Sequence, residues 1–399
     1  MLNGTVLGVR TLVQVGALLL LVVLVGIAGL LLEAHAQTRG RLRLTRSVDP
    51  HPMTVGHHGM VTVEVRSASR RLERLQIAER AARELSGPRP LRARVQRSAS
   101  LLRLTYPLEP GRRGRWPVGP LEVQRRDLFD VVRWSGPLGE PMLVAVRPAV
   151  TAIETSNRAA STDVDRAAIG ARTAAADDSS LRDYRPGDDL RRVHWRSSAR
   201  RGQILVRQDE RAGRRPATVL LDLPMDDIGT EWTIATGASI AVALVHGGHH
   251  VRMLGGDVLG VKTDHHRPDT DGMAVAALLD QTVDLVAAPD PVTRGAWLGR
   301  AVDTLGAQAG GAELVFAVVG ALDAASLAAL ARVGDASHGW AMVRSGRPGL
   351  SDPPSVHEAS TLTTLRRAGW TACAVRPGED VAACWQRLLD SDERAGMAR

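Results

Sequence analysis

The pattern of apolar and polar residues begins with one long apolar segment. From Thr11 to Leu32 the chain runs for 22 residues without a charge. At a rise of about 1.5 Å per residue, a helix of this length crosses a hydrocarbon core of about 30 Å. The pattern predicts a single-pass transmembrane anchor in residues 1–36, and no other stretch of the sequence approaches a second span.

A cleaved signal peptide is the alternative for this segment, because residues 34–36 read Ala-His-Ala, a small-x-small cleavage pattern. Cleavage there would release an exported, adhesin-like protein. The apolar run exceeds the roughly 7 to 15 residues of a signal-peptide core, which favours the anchor. Four arginines follow the run between residues 39 and 46, and only Arg10 precedes it. The positive-inside rule therefore predicts that the soluble domains of this membrane protein face the cytoplasm.

Residues 41–150 have the period of β-strands. Apolar and polar residues alternate in four segments, which are 41–44, 60–65, 101–106 and 142–146. The stretch 70–85 is polar on most faces of a helix, so a strand plus loop is predicted there. Short strands separated by turn residues predict a β-sandwich-like, all-β domain over 41–150.

The pattern changes twice after this domain. Residues 151–215 begin as a linker rich in Ala, Ser, Thr and Asp. From residue 216 strands and helices alternate, and the first strand, 217–221, is wholly apolar and ends in Asp222. Further strands are predicted near 250–254, 314–319, 340–343 and 371–375, and helices near 230–246, 273–285, 295–308, 323–333, 355–368 and 379–389. Residues 216–399 are therefore predicted to form an α/β domain with a doubly wound parallel sheet.

Composition and charge narrow the functional classes. The 399 residues are 44% hydrophobic and 24% charged, which excludes a mostly disordered chain. Residues 1–150 carry 23 arginines against 11 acids, whereas residues 216–399 carry 14 basic residues against 22 acids. This asymmetry suggests that the basic part faces a polyanionic surface, and the apolar segment identifies that surface as the lipid bilayer. Only 3% of residues are aromatic, so no nucleic-acid partner is expected.

Common catalytic motifs are absent from the sequence. Lys262 is the only lysine and does not lie in a Walker A loop, so any ATPase must be a partner. Neither a nucleophile elbow nor an H-E-x-x-H zinc motif occurs. The chain is predicted not to be an enzyme, with no catalytic residue and no cofactor.

One polar segment, residues 180–200, is distinctive. Pro186-Gly187 predicts a turn, the two acids that follow can cap a helical turn, and Trp195 is an apolar anchor among arginines. The segment is interpreted as partner-binding or as an interdomain junction. The candidate residues are Arg182, Tyr184, Pro186, Gly187, Asp188, Arg191, Arg192, Trp195, Ala199 and Arg200.

This segment resembles the signature of the bacterial family known as domain of unknown function 58, and the resemblance covers about residues 100–225. It implies membrane segments, a β-rich region and a C-terminal von Willebrand factor A-like domain. It also implies association with an AAA+ ATPase of the MoxR type. The family is not an established group of enzymes.

The A-domain metal motif, Asp-x-Ser-x-Ser, is degenerate here. The corresponding residues are Asp222-Leu223-Pro224-Met225-Asp226, and proline supplies no side-chain ligand. Asp222 and Asp226 alone would make a weak site, so no bound metal is expected.

The favoured hypothesis is a membrane-anchored, non-enzymatic scaffold that assists a MoxR-type ATPase in protein remodelling or complex assembly. Its acidic C-terminal domain would suit a basic partner surface. The alternative is a metal-dependent hydrolase that uses acids at strand ends, namely Asp222, Asp226 and Asp227. Acids at these positions are equally suited to capping helices.

Overall fold

The structure is a computed structural model, in which the chain divides into two compact units, Met1–Ala149 and Val150–Arg399. The described residues are 10–38, 42–67, 76–87, 92–126, 133–154, 181–183, 198–200, 202–207, 216–257, 265–268, 270–308, 313–336, 338–346 and 353–397.

The apolar N-terminal segment is a single helix, α1 (Arg10–Thr38). Only 6% of its stretch Arg10–Gly29 is buried, so its leucine and valine side chains have almost no contact with the rest of the described chain. By length and composition this helix is able to cross a membrane, and a signal sequence meets the same criteria.

The described residues of the first unit then form nine strands. These are β1 (Leu42–Asp49), β2 (Met53–Thr54), β3 (Gly59–Ser67), β4 (Gln76–Ala81), β5 (Arg94–Arg97), β6 (Leu101–Leu108), β7 (Gly114–Arg126), β8 (Arg133–Leu138) and β9 (Met142–Arg147). One sheet has the order β1-β3-β6-β5 and is antiparallel. The other has the order β2-β9-β7-β4 with β8 paired to β7, and it is antiparallel except for the parallel pair β2-β9. The four segments with alternating residues all lie in or overlap these strands.

Both sheets bury their inward-facing side chains in one core. Val61, Val63 and Leu104 come from the first sheet, and Val123 and Val144 from the second, and all five are buried. The stretch predicted as strand plus loop contains β4, but it also contains a short helix, α2 (Arg83–Ser86), which the pattern did not predict. Leu85 is the reason for this turn, because the helix places its side chain fully inside the core.

The second unit contains a two-stranded ladder and a five-stranded parallel sheet. Its strands are β10 (Leu181–Asp183), β11 (Leu205–Arg207), β12 (Ala217–Leu221), β13 (Val251–Leu254), β14 (Leu314–Val319), β15 (His338–Arg344) and β16 (Thr371–Val375). Its helices are α3 (Asp227–His246), α4 (Met273–Gln281), α5 (Pro291–Gln308), α6 (Ala324–Ala336), α7 (Val356–Arg367) and α8 (Val381–Met397). The predicted α/β alternation with a parallel sheet is confirmed.

The parallel sheet has the order β13-β12-β14-β15-β16 and is covered on both faces. One core contains residues of α3, α4 and α8, and the other contains residues of α5, α6 and α7. Because the strand order reverses between β12 and β14, the ends of these two strands flank a crevice where doubly wound folds bind ligands.

Helix α3 corrects the expectation that the sequence has no second candidate span. It is long and apolar enough to cross a membrane, but 83% of it is buried inside the second unit. Its hydrophobicity is explained by its position in the core of the α/β unit, where Ile234 and Ile240 are buried. A buried core helix of this kind has the same length and apolar composition as a membrane span.

Candidate functional site

Asp222 lies at the reversal of strand order, directly after β12. Its side chain is fully buried. The backbone N–H of Asp222 donates to the carbonyl of Val318 in β14 at 3.0 Å, and the N–H of Gly320 donates to Asp222 Oδ2 at 2.8 Å. The end of β14 therefore holds this carboxylate in the crevice. We call the edge of the sheet at which the strands end the carboxyl edge.

Two arginines neutralise this carboxylate. Arg294, in the first turn of α5, donates from Nε to Asp222 Oδ1 at 2.7 Å and from Nη2 to Oδ2 at 2.5 Å. Arg344, the last residue of β15, donates from Nη2 to Oδ2 at 2.9 Å and from Nη1 to the hydroxyl of Thr233 at 2.5 Å. The bidentate geometry of Arg294 is the strong form of a carboxylate–guanidinium contact. The three charged side chains form one cluster with a net charge of +1, in which Asp222 and Arg344 are buried and Arg294 is partly exposed.

The pKa values of this cluster follow from burial and from the ion pairs. Burial would raise the pKa of Asp222, but the hydrogen bonds and charges of Arg294 and Arg344 outweigh burial and lower it. Burial lowers the pKa of Arg344 to about 10, although the charge of Asp222 opposes this change. All three groups are therefore ionised at neutral pH.

The residues present do not fit a divalent cation. A magnesium site needs free carboxylate or hydroxyl oxygens, and both oxygens of Asp222 accept hydrogen bonds from arginine. The other proposed ligand, Asp226, caps α3 by accepting a hydrogen bond from the N–H of Gly229 at 2.6 Å. Among the residues that the structure describes, no group of three or more His, Cys, Asp or Glu side chains is placed to hold a metal.

Large apolar side chains are exposed in the loops and helix starts at the carboxyl edge. We call them the apolar rim, and they are Met225 (53% exposed), Ile228 (63%), Val286 (52%) and Val292 (81%). The backbone N–H of Ala288 donates to the carbonyl of Pro224 at 2.9 Å, which joins the loops that carry Val286 and Met225. The ion pair of Arg294 holds the first turn of α5, with Val292, against the end of β12. The rim therefore belongs to one edge of the sheet.

A second buried ion pair lies at the opposite edge, where the strands begin. Arg252 donates from Nη2 to Glu313 Oε2 at 2.9 Å and from Nε to the hydroxyl of Thr218 at 2.7 Å. His265 Nε2 lies 3.0 Å from Glu313 Oε1. Burial would raise the pKa of Glu313, but hydrogen bonds from His265 and Thr218, with the charge of Arg252, lower it. Glu313 and Thr218 supply hydrogen-bond acceptors to the buried guanidinium of Arg252, so the role of this cluster is structural.

The structure describes only part of the segment singled out from the sequence. Arg182 lies in β10, which pairs antiparallel with β11, and Ala199 and Arg200 lie in a helical turn where both are exposed. The other candidates lie outside the described residues, and these are Tyr184, Pro186, Gly187, Asp188, Arg191, Arg192 and Trp195.

Arg294 and Arg344 were not among the candidate residues predicted from the sequence. A signal was available for Arg344, because it ends the apolar strand Ala341-Met342-Val343 and a charge in that position needs a buried partner. Arg294 gave no such signal, since it lies 72 residues from Asp222 in a helix of ordinary composition. Only the topology brings the two side chains together.

Comparison with known proteins agrees with the resemblance drawn from the sequence, but over a different range. No curated protein and no solved structure matches the chain. The family described as protein of unknown function DUF58 matches residues 180–344, so the strands upstream of residue 180 are not part of the match. The matched range contains the whole Asp222–Arg294–Arg344 cluster. Over residues 180–344, the chain is similar to the DUF58 family.

Proposed function

We propose that the protein is a membrane-anchored, non-enzymatic scaffold whose α/β unit binds partner proteins at its carboxyl edge without a metal ion. The observation that carries this proposal is the apolar rim at the same edge as a cluster whose carboxylate is already neutralised. Four exposed aliphatic side chains at one edge are a hydrophobic surface of the kind that marks interaction sites. The cluster itself supplies no free nucleophile, base or metal ligand.

Arg294 offers this surface a polar contact. Its side chain is 23% exposed, and its Nη1 makes no hydrogen bond to any described residue. Two N–H groups are therefore available to an oxygen atom of a partner. Because Asp222 and the carbonyl of Ala321 fix the guanidinium, little side-chain entropy is lost on binding.

The fold and the partner in this proposal follow from the family resemblance. A von Willebrand factor A-like fold is supported by the parallel sheet with its first strand inside and by an antiparallel bridge between Val251 and His266 at the β13 edge. The partner that the resemblance implies is an AAA+ ATPase of the MoxR type. Helix α1 is the proposed anchor, with the soluble units on the cytoplasmic side.

A pull-down of the tagged full chain from native membranes tests this function. We expect an AAA+ ATPase of the MoxR type to be recovered with the unmodified chain and to be lost with the double variant Ile228→Asp/Val292→Asp. The matched control is Met273→Asp, which changes a methionine that is 68% exposed at the start of α4. Recovery of no such ATPase, or equal recovery with both variants, would contradict the proposal.

A further inference from the structure

The outer face of the sheet β1-β3-β6-β5 carries a groove of about 900 Å³. It is lined by side chains of all four strands and of the segment before β5, among them Thr62, Glu64, Arg92, Arg94, Arg103 and Thr105. The strand register explains this grouping. Glu64 lies opposite Arg103, and Thr105 lies opposite Arg94, so these side chains share one face of the sheet.

The carboxylate in this groove is already neutralised. Arg103 donates to Glu64 Oε1 from Nε at 3.0 Å and from Nη2 at 2.6 Å, and Arg66 donates to Oε2 at 3.1 Å. These hydrogen bonds lower the pKa of Glu64. Arg92 and Arg94 are exposed and make no ion pair within the part of the chain that the structure describes. The groove therefore has a net positive charge and guanidinium N–H groups that face solvent.

A second feature of the same face also favours an anion. Arg43 in β1 lies directly opposite Arg66 in β3, and both side chains are exposed. Like charges in directly opposite cross-strand positions repel each other. The contact of Arg66 with Glu64 compensates part of this repulsion, and an anionic group bound between the two arginines would relieve the rest.

The position of this face in the chain identifies the anion. Only three residues separate Thr38, the end of α1, from Leu42, the start of β1. The Cα atoms of these two residues can therefore be no more than about 14 Å apart. If α1 spans a bilayer, the end of the sheet that carries Arg43 and Arg66 lies at the depth of the lipid headgroups. Arg94 lies opposite Thr105, four residues or about 13 Å farther along the strands, and it reaches the same headgroups when this face of the sheet lies along the bilayer surface.

We propose that this face binds the phosphate groups of anionic phospholipids, with Arg92 and Arg94 as the principal contacts. Guanidinium groups bind phosphate oxygens in bidentate geometry, and basic residues beside a membrane helix gain affinity from anionic headgroups. The site would hold the β-rich unit against the bilayer. The proposal depends on the anchor but not on the partner of the carboxyl edge, so the two proposals fail separately.

Hydrogen–deuterium exchange of the full chain in lipid nanodiscs tests this proposal. One set of discs contains phosphatidylcholine alone, and the other contains phosphatidylcholine mixed with phosphatidylglycerol. We expect amide exchange in β5 and β6 to be slower by about fivefold or more in the phosphatidylglycerol discs at low salt, and this difference to shrink at high salt. Inorganic phosphate added to the phosphatidylcholine discs should leave exchange unchanged.

The double variant Arg92→Ser/Arg94→Ser should abolish the difference between the two lipids. The matched control, Arg80→Ser, removes an exposed arginine of β4 in the other sheet and should retain the difference. Equal exchange of the unmodified chain in both discs would overturn the proposal, whether or not the double variant folds. A chain that does not stay in the discs, or protection by free phosphate alone, would also overturn it.

Discussion

Arg294 and Asp222 form a bidentate ion pair at the carboxyl edge of the parallel sheet, with N···O distances of 2.7 and 2.5 Å. The pair joins the start of α5 to the end of β12, and Arg344 adds a third N–H···O contact from β15. Two guanidinium groups thus occupy the carboxylate oxygens that a divalent cation would require. The stability and the chemistry of this edge both follow from that arrangement.

The first prediction concerns the loss of this carboxylate. Asp222→Ala leaves Arg344 buried without its counter-ion, so we expect the free energy of unfolding to fall by about 3 to 5 kcal/mol. Denaturant unfolding followed by circular dichroism measures this change. Asp303→Ala, which removes an exposed acid from α5, is the control and should change stability by less than about 0.5 kcal/mol. Equal stability of the two variants would show that the cluster does not stabilise the fold.

The second prediction concerns acid. The folded-state pKa of Asp222 lies below its ordinary value of 3.8, so the ion pairs contribute their full stability above that value. This contribution is lost as the pH falls through the lower, folded-state pKa. We expect the free energy of unfolding to decrease with falling pH in this range, and to decrease less steeply in Asp222→Asn. Urea titrations at a series of pH values compare the two slopes, and parallel slopes would be evidence against a depressed pKa.

The third prediction concerns Gly255, the residue after β13. Its φ is +122°, and a Cβ at this position would clash with the carbonyl oxygen of Leu221. We expect Gly255→Ala to destabilise the α/β unit by about 2 to 4 kcal/mol, from backbone strain and steric overlap together.

Gly378 separates the two causes, because its φ is +95° but a Cβ at that position would meet no non-adjacent atom of the described residues within 4 Å. Gly378→Ala should therefore cost only about 1 to 2 kcal/mol, from strain alone. Thermal unfolding of the two variants makes the comparison. A smaller effect at Gly255 than at Gly378 would contradict the close approach of β13 to β12.

The fourth prediction concerns α1. If the helix is an anchor, the chain should stay in the membrane fraction after an alkaline carbonate wash, and its intact mass should include residues 1–36. Protease added to intact cells should leave the soluble units uncut, because the positive-inside rule predicts that they face the cytoplasm. A mature chain that begins at residue 37 would instead identify a cleaved signal peptide.

Much of the secondary structure was predictable from local pattern. The strands at 314–319 and 371–375 are found with the predicted bounds, because continuous apolar runs between turn residues leave little choice of length. The alternation of apolar and polar residues in 60–65 likewise predicted β3. Helix α2 escaped prediction, since its four residues are fixed by the burial of Leu85 rather than by a helical period.

The candidate site was only half predictable. The acid after the first apolar strand identified Asp222, and the proline in the following loop indicated that a metal site there would be weak. The arginines that contact the oxygens of Asp222 could not be found in this way, since Arg344 is 122 residues from Asp222. Strand order and helix placement decide which side chains meet at the carboxyl edge, and neither is visible in local periodicity.

In the proposed function, Arg294 and Arg344 take the place of a metal ion at Asp222. A calorimetric titration of the full chain with Mg²⁺ tests this claim most directly, with Asp222→Asn titrated in parallel. We predict that the two proteins give the same heats, with no binding that depends on Asp222. A saturable binding heat that is present in the unmodified chain and absent from Asp222→Asn would contradict the claim.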